Sequence, residues 1–317
     1  MGPIPMASAL HVVLYHPDRL PVTRYGGTER VVVWLARGLA ELGHRVTILC
    51  APGSEVPEAR IIPLKSSITR RSGGPDLTPF LPRDTDVLHA HVPLQRPPAS
   101  VKFLWTYHGN GALGAWFPAG AVGLSADHAR RHGLTQWVYN GLDPADYRFE
   151  PRKGDFDLFL GRLHSVKGWH WAVAGARRAH RSLVVAGGWR PSVRRDLRFV
   201  GEVGGERKAT LLAEAACLWV PAQWDEPFGL TTIEAMVSGT PVLGTRRGAL
   251  PEIITPECGA MGDSVDELVA LRPGLTQLDP EAIRARVLER FTHRTMAERY
   301  VELYRGVSPE PGAQSRP

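Results

Sequence analysis

Short apolar runs of strand length alternate with segments of helical periodicity along nearly the whole chain, and few folds tolerate that pattern. The runs at 11–17, 44–52, 59–65, 86–93, 101–109, 121–127 and 136–143 are rich in Val, Leu, Ile and aromatic residues. Strands apolar on both sides belong in a parallel sheet covered on both faces. Between the first two lies 28–43, TERVVVWLARGLAELG, apolar at helical spacing, with Thr28 placed as an N-cap and Gly43 just past the end. The pattern then repeats. Strands are expected at 157–161, 182–188, 197–201, 217–222 and 241–245, and helices at 168–180, 205–216, 230–239, 264–271, 279–290 and 294–305. Two series of βαβ units predict two doubly wound α/β domains. Residues 141–155, rich in Pro, Gly and charge, read as the linker, which puts the domains at 1–144 and 145–290. Only LQRPPAS separates the runs at 86–93 and 101–107, and 66–85 read as loop, so the first domain is trimmed on one face. Residues 306–317 read as a disordered tail.

The chain's 317 residues exceed one ordinary core and suit two. Of 38 basic and 32 acidic residues, the first 150 positions hold 15 and 12 and the rest 23 and 20. Each half is mildly basic, which argues against a concentrated nucleic-acid-binding surface and leaves an anionic small ligand or an anionic membrane surface. Cys50, Cys217 and Cys258 are too few and too scattered for a disulfide framework or a zinc site, and read as buried small hydrophobes in a reducing compartment. No run reaches the roughly 18 apolar residues of a membrane span. The first 17 residues lack the features of a signal peptide, so a cytoplasmic protein is expected.

In open α/β sheets ligands bind beyond the carboxyl ends of the strands. The polar outliers collect at those ends: Gly26-Gly27 before the first long helix, His108-Gly109, the loop GRLHSVKG at 161–168, Gly187-Gly188, and DEPFGLTT at 225–232. Gly26 and Gly27 would let a phosphate approach a helix N-terminus, or would merely form a tight turn. Arg162 and Lys167, between Gly161 and Gly168, suit a doubly charged phosphate; two solvated cations are the competing reading. In EPFGLTTIEA, a helix starting near Leu230 points its free N–H groups at the cleft, and Glu226 stands beside it. A carboxylate there repels phosphate and suits hydroxyls that donate to it. Glu234, a turn inside the helix, could reach a vicinal diol such as ribose. A nucleotide sugar satisfies all these features; an N-cap acid and a surface glutamate would be the plain alternative.

These motifs, with GGTERVVVWLARGLAELGHRVTIL, DVLHAHVP, TYHG, YNGLD, FVGEV and EPFGLTTIEAMVSGTPVLGTRRGALPEII, resemble the retaining GT-B glycosyltransferases of family 4 through most of the chain. YGGTERVV is similar to a subgroup described as UDP-glucose-dependent. The resemblance implies a GT-B fold, with residues 291–305 forming a C-terminal helix that packs back on the N-terminal, acceptor-binding domain. It implies that Glu226 holds hydroxyls of the donor sugar. Backbone N–H groups of Phe228, Gly229 and Leu230, with Thr231 beside them, bind sugar and diphosphate, and Glu234 binds ribose. Arg162 and Lys167 neutralise the diphosphate, Gly26, Gly27, Gly161 and Gly187 let it approach, His108 faces the sugar, and Val200 meets the base through its backbone. Partners are then a nucleotide-sugar donor and a hydroxyl acceptor, with peripheral contact at the inner membrane face open and no cofactor or metal. A non-catalytic nucleotide-sugar-binding protein and a sugar epimerase of the same fold are the alternatives. The chain departs from the family in its short first domain and in RFTHRTMAERY, where the family more often has Trp near His293.

Two metal-like patterns need separate weighing. Asp84-Thr85-Asp86 spells D-x-D but precedes a strand in the wrong context for a metal–nucleotide site. His89 and His91 fall on one side of a strand with no third ligand nearby, which favours packing or an acceptor-site role.

Overall fold

The computed structural model describes residues 8–22, 26–69, 75–94, 96–111, 117–118 and 120–306. The tail from 307 on, the first seven residues, and Arg24 and Tyr25 of the glycine loop lie outside these.

The first half contains β1 (His11–Tyr15), α1 (Gly27–Glu41), β2 (Arg45–Cys50), β3 (Arg60–Pro63), α2 (Ser66–Thr69), β4 (Val87–Ala90), β5 (Lys102–Thr106), β6 (Ala121–Val122) and α3 (Ala126–Arg131). The second contains β7 (Phe156–Leu160), α4 (Trp169–Arg178), β8 (Ser182–Ala186), β9 (Leu197–Phe199), α5 (Gly205–Glu214), β10 (Cys217–Val220), α6 (Leu230–Val237), β11 (Val242–Gly244), α7 (Leu250–Ile253), β12 (Gly259–Met261), α8 (Val265–Leu271) and α9 (Pro280–Arg290), followed by α10 (His293–Arg305). The strands form two six-stranded sheets, β3-β2-β1-β4-β5-β6 and β12-β11-β10-β7-β8-β9, and every pairing is parallel. Both sheets reverse winding direction once, between β1 and β4 and between β7 and β10. A crevice opens at each such switch point, beyond the strand ends.

The long apolar runs became strands because both their faces are covered: Val12, Val13 and Leu14 of β1 are fully buried, as are Val185 and Ala186 of β8. The core of the second sheet also holds an ion pair. Asp157 accepts two hydrogen bonds from Arg272 (2.6 and 2.9 Å) and one from Trp219 Nε1 (2.8 Å) near the amino ends of β7 and β10. The three cysteines are buried and free. The helix α10 lies against α1, where Gly38 permits contact so close that an added Cβ would stand 2.5 Å from the His293 carbonyl oxygen. Its Tyr304 reaches His89, and Tyr300 reaches Thr106 (both 2.7 Å).

Several expectations change. The helix after β1 starts at Gly27 with Gly26 at its cap; Thr28 is already inside the first turn and caps nothing. The run 121–127 is cut short at Val122 because Ser125 caps a new helix, its Oγ accepting from the His128 N–H (3.0 Å). Residues 136–143 make only isolated bridges, Gly123 with Trp137 and Leu142 with Thr292, because the sheet has already ended at β6. The stretch 66–85, expected as loop, contains α2 and a 3-10 turn at Thr78–Phe80. Neither α7 nor β12 was anticipated; each spans three or four residues, too short for a periodic signal. Among the described residues no helix is long and apolar enough to cross a membrane.

Candidate active site

The two switch points face each other across a cleft of about 380 Å³. From the first half come Gly26, Gly27, Glu29, Arg30, His108 and Asn140, and from the second Gly161, Arg162, Lys167, Gly187, Trp224, Glu226, the start of α6 and Glu234. The connections after β7 and β10 therefore supply most of one wall.

Glu226 sits just before α6. Its Oε2 accepts from Lys167 Nζ (2.8 Å) and from Trp224 Nε1 (2.8 Å), and Lys167 lies over the Trp224 ring, 4.6 Å from its centroid. One carboxylate oxygen is thus committed within the protein, and Glu226 lines the cleft. The loop is fixed from behind, because Ala249 N–H donates to the Glu226 carbonyl (2.8 Å). It is also held by the first half: Asn110 Nδ2 donates to the Asp225 carbonyl (2.7 Å) and Ser125 Oγ to the Pro227 carbonyl (2.9 Å). Gly229 starts α6 at φ 92°, a left-handed conformation that a side chain disfavours. The turn aims the helix N-terminus, with its partial positive charge, into the cleft. Phe228, Gly229, Leu230 and Thr231 all line it.

Glu234 is almost completely buried, 1% exposed. Its Oε1 accepts from Lys208 Nζ (2.5 Å) and Tyr147 OH (2.7 Å), and Arg30 lies 3.5 Å away. Burial lowers the Lys208 pKa while Glu234 opposes that shift. Burial, reinforced by Glu234, pushes the Tyr147 phenol well up, so it stays a donor. The cluster joins the halves, since Arg30 is on α1, Lys208 on α5, Glu234 on α6 and Tyr147 on the connecting segment.

His108 is held by His91, with 2.9 Å between His91 Nδ1 and His108 Nε2. Burial drives the His108 pKa down to about 3, aided by nearby His16 and His128, so the ring is neutral. Among the described residues a Cβ built on Gly27 meets only Leu230 Cδ2, at 3.9 Å.

The cleft thus brings together His108, Arg162, Lys167, Glu226, Gly26, Gly27, Gly161, Gly187, Phe228, Gly229, Leu230, Thr231 and Glu234. Val200 is not among them. Its N–H pairs with the Val185 carbonyl (3.0 Å), and the wall at that point is Glu202 and Val203. Sequence reasoning also missed Arg30, Asn140, Lys208 and Trp224. Lys208 carried a signal, for it precedes Leu212 by one helical turn on the buried face of α5. The D-x-D pattern is engaged structurally: Asp84 pairs with Arg45 and His11, and Asp86 accepts from the His11 N–H (2.7 Å). Among the described residues one group has metal-ligand geometry, His16, Asp18 and Glu29, whose ligand atoms lie within 4.8 Å of one another.

Comparison with known proteins follows the same lines. Sequence models described as Glycosyltransferase Family 4 and Glycosyl transferases group 1 match residues 25–149 and 157–287. The glycogen synthase of Mycobacterium tuberculosis is 31% identical over 196 residues, 53% of this chain and 47% of that protein, so the match spans about half of that relative's length. A phosphatidyl-myo-inositol mannosyltransferase of Mycolicibacterium smegmatis is 26% identical over 85% of both chains. The crystal structure of AviGT4, a glycosyltransferase involved in avilamycin A biosynthesis, superposes with a TM-score of 0.76 at 32% identity, covering 93% of this chain and 97% of that one.

Proposed function

The chain belongs to glycosyltransferase family 4 and has the GT-B fold, and from that premise we propose that it moves a hexose from a nucleotide-diphosphate sugar to a hydroxyl acceptor. The donor we favour is UDP-glucose, used with retention of configuration and without a metal. The observation that carries this reading is the Lys167–Glu226 pair at the N-terminus of α6, with Glu234 in the same cleft. A cation, a helix end and a hydroxyl-binding carboxylate are needed together where a sugar leaves a diphosphate.

In this reading the barrier is charge separation between an oxocarbenium-like sugar and an anionic leaving group. Arg162, Lys167 and the α6 N-terminus stabilise the anion by preorganised electrostatics. Lys167 can serve Glu226 and a phosphate together, because an ammonium carries three donors. Glu226 orients the sugar through its hydroxyls, Glu234 meets the ribose, and the base lies toward Glu202 and Val203. Retention by double displacement requires a carboxylate beneath the anomeric carbon. We assign none, and propose same-face attack in which the leaving phosphate takes the acceptor's proton. The reaction is placed in the cytoplasm; a lipid acceptor would bring the protein to the inner membrane face.

The test is thermal shift with UDP and GDP in EDTA, followed by product analysis with labelled UDP-glucose. Stabilisation by UDP in EDTA, by RT ln(1 + [L]/Kd), supports the reading. A shift that requires a divalent ion would overturn the metal-free mechanism and point to His16, Asp18 and Glu29. Donor converted with no acceptor into an epimer, or bound and never turned over, would replace transfer by epimerisation or mere binding.

A further inference from the structure

The HAH pattern at 89–91 finds its use one layer beneath the cleft. His89 and His91 are both buried, their ring centroids 4.3 Å apart. His89 is tied at both nitrogens, Nδ1 to Tyr304 OH and Nε2 to Thr106 Oγ1 (2.7 Å each). Thr106 is tied in turn to Tyr300 OH (2.7 Å). The helix α10 therefore fixes His89. His91 packs on that ring, with its backbone N–H on the Tyr15 carbonyl (3.0 Å) and its Nδ1 on His108 Nε2. Its remaining nitrogen, Nε2, is enclosed with no partner among the described residues.

That orphan nitrogen decides which way the protons lie. Two neutral arrangements fit the contact between the rings. In one, His108 Nε2–H donates to His91 Nδ1. The His91 proton then sits on Nε2, an enclosed N–H without an acceptor. In the other, His91 Nδ1–H donates to His108 Nε2, and the enclosed Nε2 is a bare lone pair. Buried N–H groups without acceptors are rarer than buried acceptors left short of donors. The tautomer of one ring nitrogen is set by the hydrogen bond the other makes. The second arrangement leaves the His108 proton on Nδ1, the nitrogen not engaged by His91.

We infer that His91 is a positioning residue that locks His108 as its Nδ1–H tautomer, so that His108 presents a neutral hydrogen-bond donor to the sugar in the cleft. The inference deepens the reading given above and rests on it for the identity of the ligand. A neutral donor can grip a hydroxyl oxygen of the sugar. It adds no positive charge opposite a developing oxocarbenium centre, as an imidazolium would. Desolvation, which keeps His91 and the half-buried His108 well below the ordinary histidine range, disfavours the charged form at physiological pH.

The experiment compares His91→Asn, whose amide nitrogen takes the place of Nδ1 and still donates, with His91→Leu, which cannot. Long-range 1H–15N correlation of the imidazoles in the ligand-free protein should show His108 protonated at Nδ1 in the wild type and His91→Asn. In His91→Leu that tautomer should be lost. Turnover of UDP-glucose should fall on the order of 10- to 100-fold in His91→Leu, the scale on which outer partners of functional histidines act. It should recover in His91→Asn, with UDP affinity within twofold throughout. His108 found protonated at Nε2 in the wild type would overturn the inference. So would His91→Asn as defective as His91→Leu, or turnover and UDP affinity falling together. If the wild type transferred sugar from no nucleotide donor, the functional reading would fail, while the tautomer measurement would still judge the role of His91.

Discussion

Replacing Glu234 by glutamine should damage this protein in two separable ways. The carboxylate is 1% exposed and faces Lys208, Tyr147 and Arg30. Glutamine keeps an oxygen for the Tyr147 hydroxyl but leaves the Lys208 ammonium without its counter-charge and removes the negative charge 3.5 Å from Arg30. Removing one partner of a buried pair costs about 3–5 kcal/mol. Lys208 can shed its proton, because burial already lowers its pKa, so the lower figure of about 3 kcal/mol applies. At about 2–4 °C per kcal/mol, the melting temperature should fall by about 6–12 °C. The sign of the pH dependence follows. In the variant Lys208 has a folded pKa below its unfolded value, so stability is lost as pH falls through that range. The deficit should be smaller at pH about 9 than at pH about 6. UDP affinity should drop as well, by about 1–3 kcal/mol for a lost charged hydrogen bond. Glu226→Gln is the control. Its carbonyl still accepts from Trp224, and Lys167 sits at the open cleft, 24% exposed. Stability and UDP affinity should therefore stay near wild type while kcat falls. Calorimetry and thermal melts on both variants decide the matter. Equal melting temperatures, or equal loss of UDP binding, would refute the division of roles.

Gly27→Ala should raise stability by about 0.4–1 kcal/mol, since its backbone suits alanine and the nearest atom to the new methyl among the described residues is 3.9 Å away. The same methyl should weaken UDP binding on the order of tenfold by filling space beside the helix end, at about 1–3 kcal/mol for overpacking; stability and affinity moving in one direction would refute this. Arg272→Leu should cost about 3 kcal/mol, because it leaves the buried Asp157 carboxylate with Trp219 Nε1 and with Arg181, 3.5 Å away, as its remaining partners among the described residues, measured by urea unfolding. UDP affinity should be unchanged, because Asp157 lies near the amino end of its strand, away from the cleft. Three desolvated histidines predict an acid-sensitive fold: buried His89 and half-buried His108 are pushed down to about 3 and buried His128 to about 4, chiefly by desolvation. Each folded pKa lies below the unfolded value, so stability is complete above pH about 6.5 and lost as pH falls toward 4. At pH 5.5 the three together should cost about 4 kcal/mol, read from unfolding curves at pH 8 and 5.5; no loss across that window would refute it.

The parts of this molecule legible in its sequence are those set by neighbours along the chain. Runs such as 182–188 and 217–222 declare buried parallel strands, and the sheet order places their carboxyl ends at the cleft. The chemistry that gathers there was read from loops in which charge or glycine interrupts apolar sequence, at 161–168 and 225–232. What escaped depends on partners far away. Ser125 caps α3 and at the same time donates to the Pro227 carbonyl, about a hundred positions away in the chain. Glu234 is a structural anchor as well as a cleft residue because Arg30, Tyr147 and Lys208 converge on it from three other elements. Val200 spends its N–H on the neighbouring strand, and the residues lining the cleft near it are Glu202 and Val203. His91 reads as an ambiguous strand-end residue until His108, seventeen positions on, is seen bonded to it.

The return of α10 to α1 has a consequence for biosynthesis. A ribosome releases β1 to β6 first, yet the surface of α1 around Gly38 and the polar groups of His89 and Thr106 wait for a helix made after the entire second sheet. Domains generally fold as units during synthesis, in order of emergence. Here the second sheet can close around Asp157 and Arg272 while the first still lacks its covering helix. The half that leaves the ribosome first is the last to be finished.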